Sequence, residues 1–168
     1  KEDYDKAGEM LAQIRPYIKT FDNYAYGRMP EKEFCVSVTW GPDGLLAMAG
    51  AAEANTGVVL DFFLPAGAGK ANLWIDGWLI PADAENVEDA HLFLNYMMRA
   101  EVGAADSNYT WYATANLVGK PLVDEEVTSS PAAFPTSDQI DHMYTNASLP
   151  PKAQRMQTRT WTDFKAGN

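Results

Sequence analysis

Asp76 stands between two tryptophans in the stretch Leu73-Trp74-Ile75-Asp76-Gly77-Trp78-Leu79-Ile80-Pro81. In an extended chain side chains alternate, so Trp74, Asp76 and Trp78 share one face, and Leu73, Ile75 and Leu79 share the other. A carboxylate against aromatic surface is poorly solvated, and the cost falls only when a cation or hydrogen-bond donors arrive. Indole faces attract cations themselves, by roughly 0.5–2 kcal/mol each. The chemistry this implies is capture of an organic cation. Trp40 and Asp43 repeat the pattern. Trp40 closes a strand-like run from Glu33, and Asp43 sits in Gly41-Pro42-Asp43-Gly44, which reads as a turn. Tyr112, at the end of the aromatic run from Tyr109, adds a third wall. A lone tryptophan is more often core packing and a lone aspartate more often a turn or cap residue. Two Trp/Asp pairs at expected strand ends favour a site.

Other chemistries find less support. Asp43 and Asp76 are a conceivable glycosidase acid/base pair with tryptophan sugar platforms, so a carbohydrate-binding or glycoside-hydrolysing module is the alternative reading. Neither acid comes with further recognisable active-site residues. Gly67-Ala68-Gly69-Lys70 superficially resembles a phosphate loop, but the earlier glycine is missing and Ala71 replaces the Ser/Thr that binds magnesium. His91 and His142, the only histidines, lack ligand spacing with Cys35, so no metal is expected. There is no GxSxG nucleophile elbow, and no cofactor is expected. Asn108-Tyr109-Thr110 and Asn146-Ala147-Ser148 match glycosylation acceptors, a short pattern that arises by chance. Cys35, in the apolar run Phe34–Val38, is expected to be a buried, inert thiol.

The elements that must carry these residues alternate in type. Asp5–Tyr17 reads as an amphipathic helix presenting Met10, Leu11, Ile14 and Tyr17, weakened near its end by Pro16. Leu45–Ala54 reads as a helix closed near Asn55-Thr56-Gly57. Val58–Leu64 is a buried-type strand and 65–70 a loop. A helix follows Glu85 and Asn86, with Ala90, Phe93, Leu94 and Met97 inward and Arg99 in its last turn. A short second helix covers 101–107, and Tyr109–Tyr112 is extended. Beyond Pro121 the chain is rich in Pro, Ser, Thr and Asp, and then becomes basic from Arg155 to Lys165. Strands alternating with helices predict an α/β fold.

With 168 residues, 46% of them hydrophobic, the chain is long enough for a sizeable core. A net charge of −10 argues against nucleic acid or an anionic membrane as partner and suits a basic ligand. No apolar run approaches the roughly 20 residues of a membrane span. The chain starts at Lys1 without a signal peptide or initiating Met, as a mature or excised segment would.

The runs CVSVTWGPDG (35–44), LWIDGWLIPADA (73–84), HLFLNYMMR (91–99), YATANLVGKPLV (112–123) and RTWTDFKAG (159–167) resemble the bacterial periplasmic polyamine-binding proteins, most of all the putrescine-binding branch. These are non-enzymatic solute receptors of ABC importers. The resemblance spans nearly all of this chain but only the second half of such proteins. It implies a part of a two-lobe periplasmic binding protein (type II) fold, incomplete in this chain. Residues 1–55 would belong to the second lobe, 56–118 to the first, and 119–168 to the second again. It further implies that Trp40, Trp74 and Tyr112 wall a polyamine slot and that Asp43 and Asp76 hold ammonium ends. Trp74 replaces what is often another aromatic, Asp43 favours putrescine over spermidine, and Trp78 takes an apolar position outside the site. The implied partners are putrescine or another polyamine, an ABC permease of the inner membrane, and the missing N-terminal half, which would also carry a cysteine for Cys35.

Overall fold

The structure is a computed structural model and describes residues 1–65, 67 and 71–167. Its α-helices are α1 (Glu2–Ile14), α2 (Ala25–Arg28), α3 (Gly41–Ala54), α4 (Val87–Met97), α5 (Ala100–Thr110), α6 (Glu125–Thr128), α7 (Ser137–Asp141) and α8 (Pro151–Ala166). The chain divides into two compact units, one built from residues 1–23 and 146–168 and the other from 24–145.

In the first unit α1 packs along α8. Pro16 ends α1 as its chemistry requires, because the chain continues only as a 3-10 turn over Arg15–Tyr17. Arg15 donates from Nε to the Phe164 carbonyl at 2.9 Å and from Nη2 to the Lys165 carbonyl at 3.0 Å. Those carbonyls belong to the last turn of α8, where backbone acceptors lack helical partners and a cation is favourable. Phe21 sets its edge against Trp161 and Phe164 beside them. The face expected of α1 is not buried: Met10, Ile14 and Tyr17 are exposed. A single neighbouring helix covers only part of such a stripe.

In the second unit Leu45 of α3, Ala104 of α5, and Val123, Val127 and Ala133 form the core, with Met48, Trp111 and Phe134 packed against it. α3 closes at Asn55 in a left-handed conformation (φ 48°), a geometry Asn tolerates. α4 starts after Asn86 as expected. Ala90, Leu94 and Met97 turn inward while Phe93 is exposed, and Arg99 falls between α4 and α5 with its guanidinium over Tyr96. The second short helix is longer than expected and takes in Tyr109 and Thr110, which corrects the extended reading of Tyr109–Tyr112. Trp111 then stops it in a left-handed conformation (φ 64°).

The α/β expectation is not confirmed. Among the described residues there is no strand ladder, only one parallel bridge, Asn72 with Tyr144. Leu73 N–H donates to the Tyr144 carbonyl at 2.8 Å, and Tyr144 N–H donates to the Ala71 carbonyl at 3.0 Å. The runs 36–40, 58–65 and 73–80 form no regular structure. A strand is held by hydrogen bonds to its neighbours, and these segments find almost none. Their alternation nonetheless survives in part. Val58, Leu60, Phe62 and Leu64 are half-buried while Val59, Asp61 and Phe63 are exposed. Phe62 lies so close to Gly44 of α3 that a Cβ there would sit 2.7 Å from its ring. The opposite faces stay open, with Val38 101% and Leu79 91% exposed. Of the phosphate-loop-like stretch, Ala68, Gly69 and Lys70 lie outside the described residues.

Candidate functional site

Gly41-Pro42-Asp43-Gly44 is the first turn of α3 and not a free-standing turn. Proline suits that place, since its missing N–H would have no helical partner anyway. Trp40 precedes it in an extended conformation (φ −66°, ψ 147°), and Gly44 N–H donates to the Trp40 carbonyl at 3.1 Å. Gly41 presses on the 130s loop so closely that a Cβ would run into the Ala132 carbonyl. This contact fixes where α3 begins. It thereby sets Asp43 in the first turn, where the positive end of the helix favours a carboxylate.

Tyr112 comes from the far end of α5. The left-handed Trp111 turns the chain sharply, and Tyr112 N–H donates to Thr110 Oγ1 at 3.3 Å. Trp111 itself packs on the core shared by α3 and α5. The core that holds both helices therefore also brings the start of one to the end of the other. Tyr112 Oη donates to Asp43 Oδ1 at 3.2 Å, and Thr39 Oγ1 donates to Asp43 Oδ2 at 3.5 Å. Burial pushes the Tyr112 phenol up to about 12; the Asp43 charge, its hydrogen bond and the Asp76 charge add to this.

Trp74 and Asp76 lie on the irregular stretch that follows the single bridge. Trp74 Nε1 donates to Asp76 Oδ1 at 2.9 Å. The Trp74 ring leans on Trp40, with centroids 5.8 Å apart and planes at 58°. Trp40, Asp43, Trp74, Asp76 and Tyr112 thus meet in one cluster. Among the described residues no Lys, Arg or His stands within ion-pair distance of either aspartate. Trp40 and Trp74 remain 45% and 52% exposed, so the cluster is an open wall. Two carboxylates without a cation, beside aromatic faces, form a surface suited to an organic cation.

Trp78 is not part of it. It meets Phe93 of α4 edge to face, centroids 5.3 Å apart. The picture of Asp76 held between two indoles therefore reduces to Trp74 alone. Thr39 is a contact that the sequence reading missed; its only signal was a hydroxyl residue four places before Asp43. Cys35 is exposed and not buried as expected, because no strand neighbour covers its segment. Asn108 lies within α5 and its Oδ1 accepts the Asp124 N–H at 2.9 Å, a structural role at one of the two glycosylation-like patterns. Among the described residues no group of His, Cys, Asp and Glu is arranged to hold a metal. No described helix is long and apolar enough to cross a membrane.

No protein-family model matches the chain. Individual proteins do. The chain is similar to the putrescine-binding periplasmic protein of Escherichia coli (strain K12), 35% identical over 162 residues, covering 96% of this chain and 43% of that protein. The putrescine-binding periplasmic protein of Pseudomonas aeruginosa (strain UCBPP-PA14) is 33% identical over 163 residues, 96% of this chain and 44% of that protein. Spermidine/putrescine-binding periplasmic protein 1 of Haemophilus influenzae (strain ATCC 51907 / DSM 11121 / KW20 / Rd) is 30% identical over 141 residues, 83% and 37% of the two chains. All three are named as binding proteins, not enzymes, and as periplasmic. The chain spans less than half the length of each of these relatives. Across nearly all of its own length the chain is similar to periplasmic proteins named for binding putrescine.

Proposed function

We propose that this chain forms part of a periplasmic receptor that captures putrescine or a related polyamine and delivers it to an ABC permease. The observation that carries the reading is the cluster of Asp43 and Asp76, both without a cationic partner among the described residues, beside Trp40, Trp74 and Tyr112. Each carboxylate takes an ammonium group, and the aromatic faces lie along the methylenes between them. The names of the relatives support the polyamine as ligand class.

The remaining half of the site belongs to a first half of the protein that the relatives have and this chain does not span. On this proposal 1–55 and 119–168 belong to one lobe and 56–118 to the other. The open segments 36–40, 58–65 and 73–80 pair with strands of the first half, which covers their exposed faces. Closure of the lobes removes water from the slot and strengthens both ion pairs.

Fluorescence of Trp40 and Trp74 tests this, with the chain joined to its first half. Putrescine should change the emission at low concentration. A monoamine of similar length should bind more weakly by roughly tenfold or more, because one carboxylate stays unpaired. A neutral sugar should leave the emission unchanged. A response to the sugar and none to putrescine would reject the proposal in favour of the carbohydrate-binding alternative.

A further inference from the structure

We propose that Trp74 acts as a positioning residue, its indole N–H fixing one oxygen of Asp76 so that the other is presented to an ammonium group. This rests on the polyamine reading above and deepens it, since there Trp74 serves only as an aromatic wall. In an extended segment residues two apart share a face, which lets the Trp74 ring reach along the chain to Asp76. The resulting Nε1–Oδ1 distance is 2.9 Å, that of a good charge-assisted hydrogen bond. Indole has one donor and no acceptor, so the interaction has a single sense. The ring is steadied in turn by Trp40, 5.8 Å away between centroids. Among the described residues Asp76 Oδ1 receives this donor and Oδ2 receives none.

The site thereby treats its two acids differently. Asp43 takes donors on both oxygens, from the Tyr112 and Thr39 hydroxyls. Asp76, on an exposed irregular segment, depends on Trp74 alone. A phenylalanine in place of Trp74 would keep an aromatic face and lose the donor. Asp76 would then rotate freely, and a ligand would have to order it on binding.

The test has a ligand-free arm and a binding arm. In nitrogen–proton NMR of the chain, Asp76→Ala should move the Trp74 indole N–H upfield, toward the position of an indole without an acceptor. The Trp78 indole, which meets Phe93, should keep its position in that variant. In the protein joined to its first half, Trp74→Phe should weaken putrescine binding roughly tenfold. In an Asp76→Ala background the same change should cost less than about twofold, the mark of two residues acting as a unit. A Trp74 indole resonance unmoved by Asp76→Ala would overturn the inference, as would equal costs of Trp74→Phe in both backgrounds. Failure of the unsubstituted protein to bind putrescine would instead overturn the polyamine reading, with the NMR result still deciding the hydrogen bond.

Discussion

Tyr112 reports on the charge of the site from inside it. Its phenol donates to Asp43 and also feels Asp76, and burial with these charges pushes it up to about 12. The folded state therefore prefers the neutral phenol more strongly than the unfolded chain, whose tyrosines ionise near about 10. The sign follows from linkage. The stabilising contribution is fully present below about 10 and is lost as pH rises through about 12. In an alkaline titration followed by phenolate absorbance, Tyr112→Phe should remove a late step from the eight tyrosines. Asp43→Asn should bring that step to lower pH. A late step unaffected by Asp43→Asn would show that Asp43 does not raise the phenol. At this scale the sequence was legible where chemistry is local. Trp40, Asp43, Trp74, Asp76 and Tyr112 were marked by residue type and alternation, and they meet in one cluster. Alternation alone put Trp78 on the face of Asp76, because it assigns a face but not a partner; the resemblance left it outside the site, and it meets Phe93 of α4. Thr39 was missed because a hydrogen bond to Asp43 depends on where α3 begins.

The start of α3 decides the placement of two site residues. Gly41 abuts the Ala132 carbonyl, so Gly41→Ala must push α3 or the 130s loop outward. Overpacking of this kind costs about 1–3 kcal/mol. We expect denaturant unfolding to show that loss, with putrescine affinity of the assembled protein falling as well because Trp40 and Asp43 shift together. Gly57→Ala serves as a control: it has open space around it but a positive φ of 72°, so it should cost stability without weakening the site. A Gly41→Ala protein of undiminished affinity would separate the site from this contact. Helices were the elements best legible in the sequence, since their periodicity and stop signals are local: α1 gave way at Pro16 and α3 at Asn55. The Gly-Pro-Asp-Gly run misled because the same residues suit a turn and the first turn of a helix, and packing chose between them. The segments 36–40, 58–65 and 73–80 kept traces of strand alternation without a ladder, because pairing is non-local and the sequence of one segment does not supply its partner.

At the scale of the whole molecule, open extended segments and a helical core should differ in protection. Backbone amides of 36–38, 59–63 and 75–79 should exchange with solvent far faster than those of α3 and α5 in hydrogen-exchange mass spectrometry of the chain. Joined to its first half, the protein should protect those same segments. Exchange unchanged by the first half would contradict the proposed pairing. The net charge of −10 should also attract a polyamine at long range, so association should slow as salt is raised.

The most direct measurement is calorimetric titration of putrescine into the assembled protein and its Asp76→Ala variant. Removing one carboxylate leaves an ammonium group unpaired in a closing slot, a loss of about 2–5 kcal/mol. The account predicts tight binding by the unsubstituted protein and binding weakened by that margin, but still measurable, in Asp76→Ala, with the variant still folded by circular dichroism. Equal affinity of the two proteins for putrescine would contradict it.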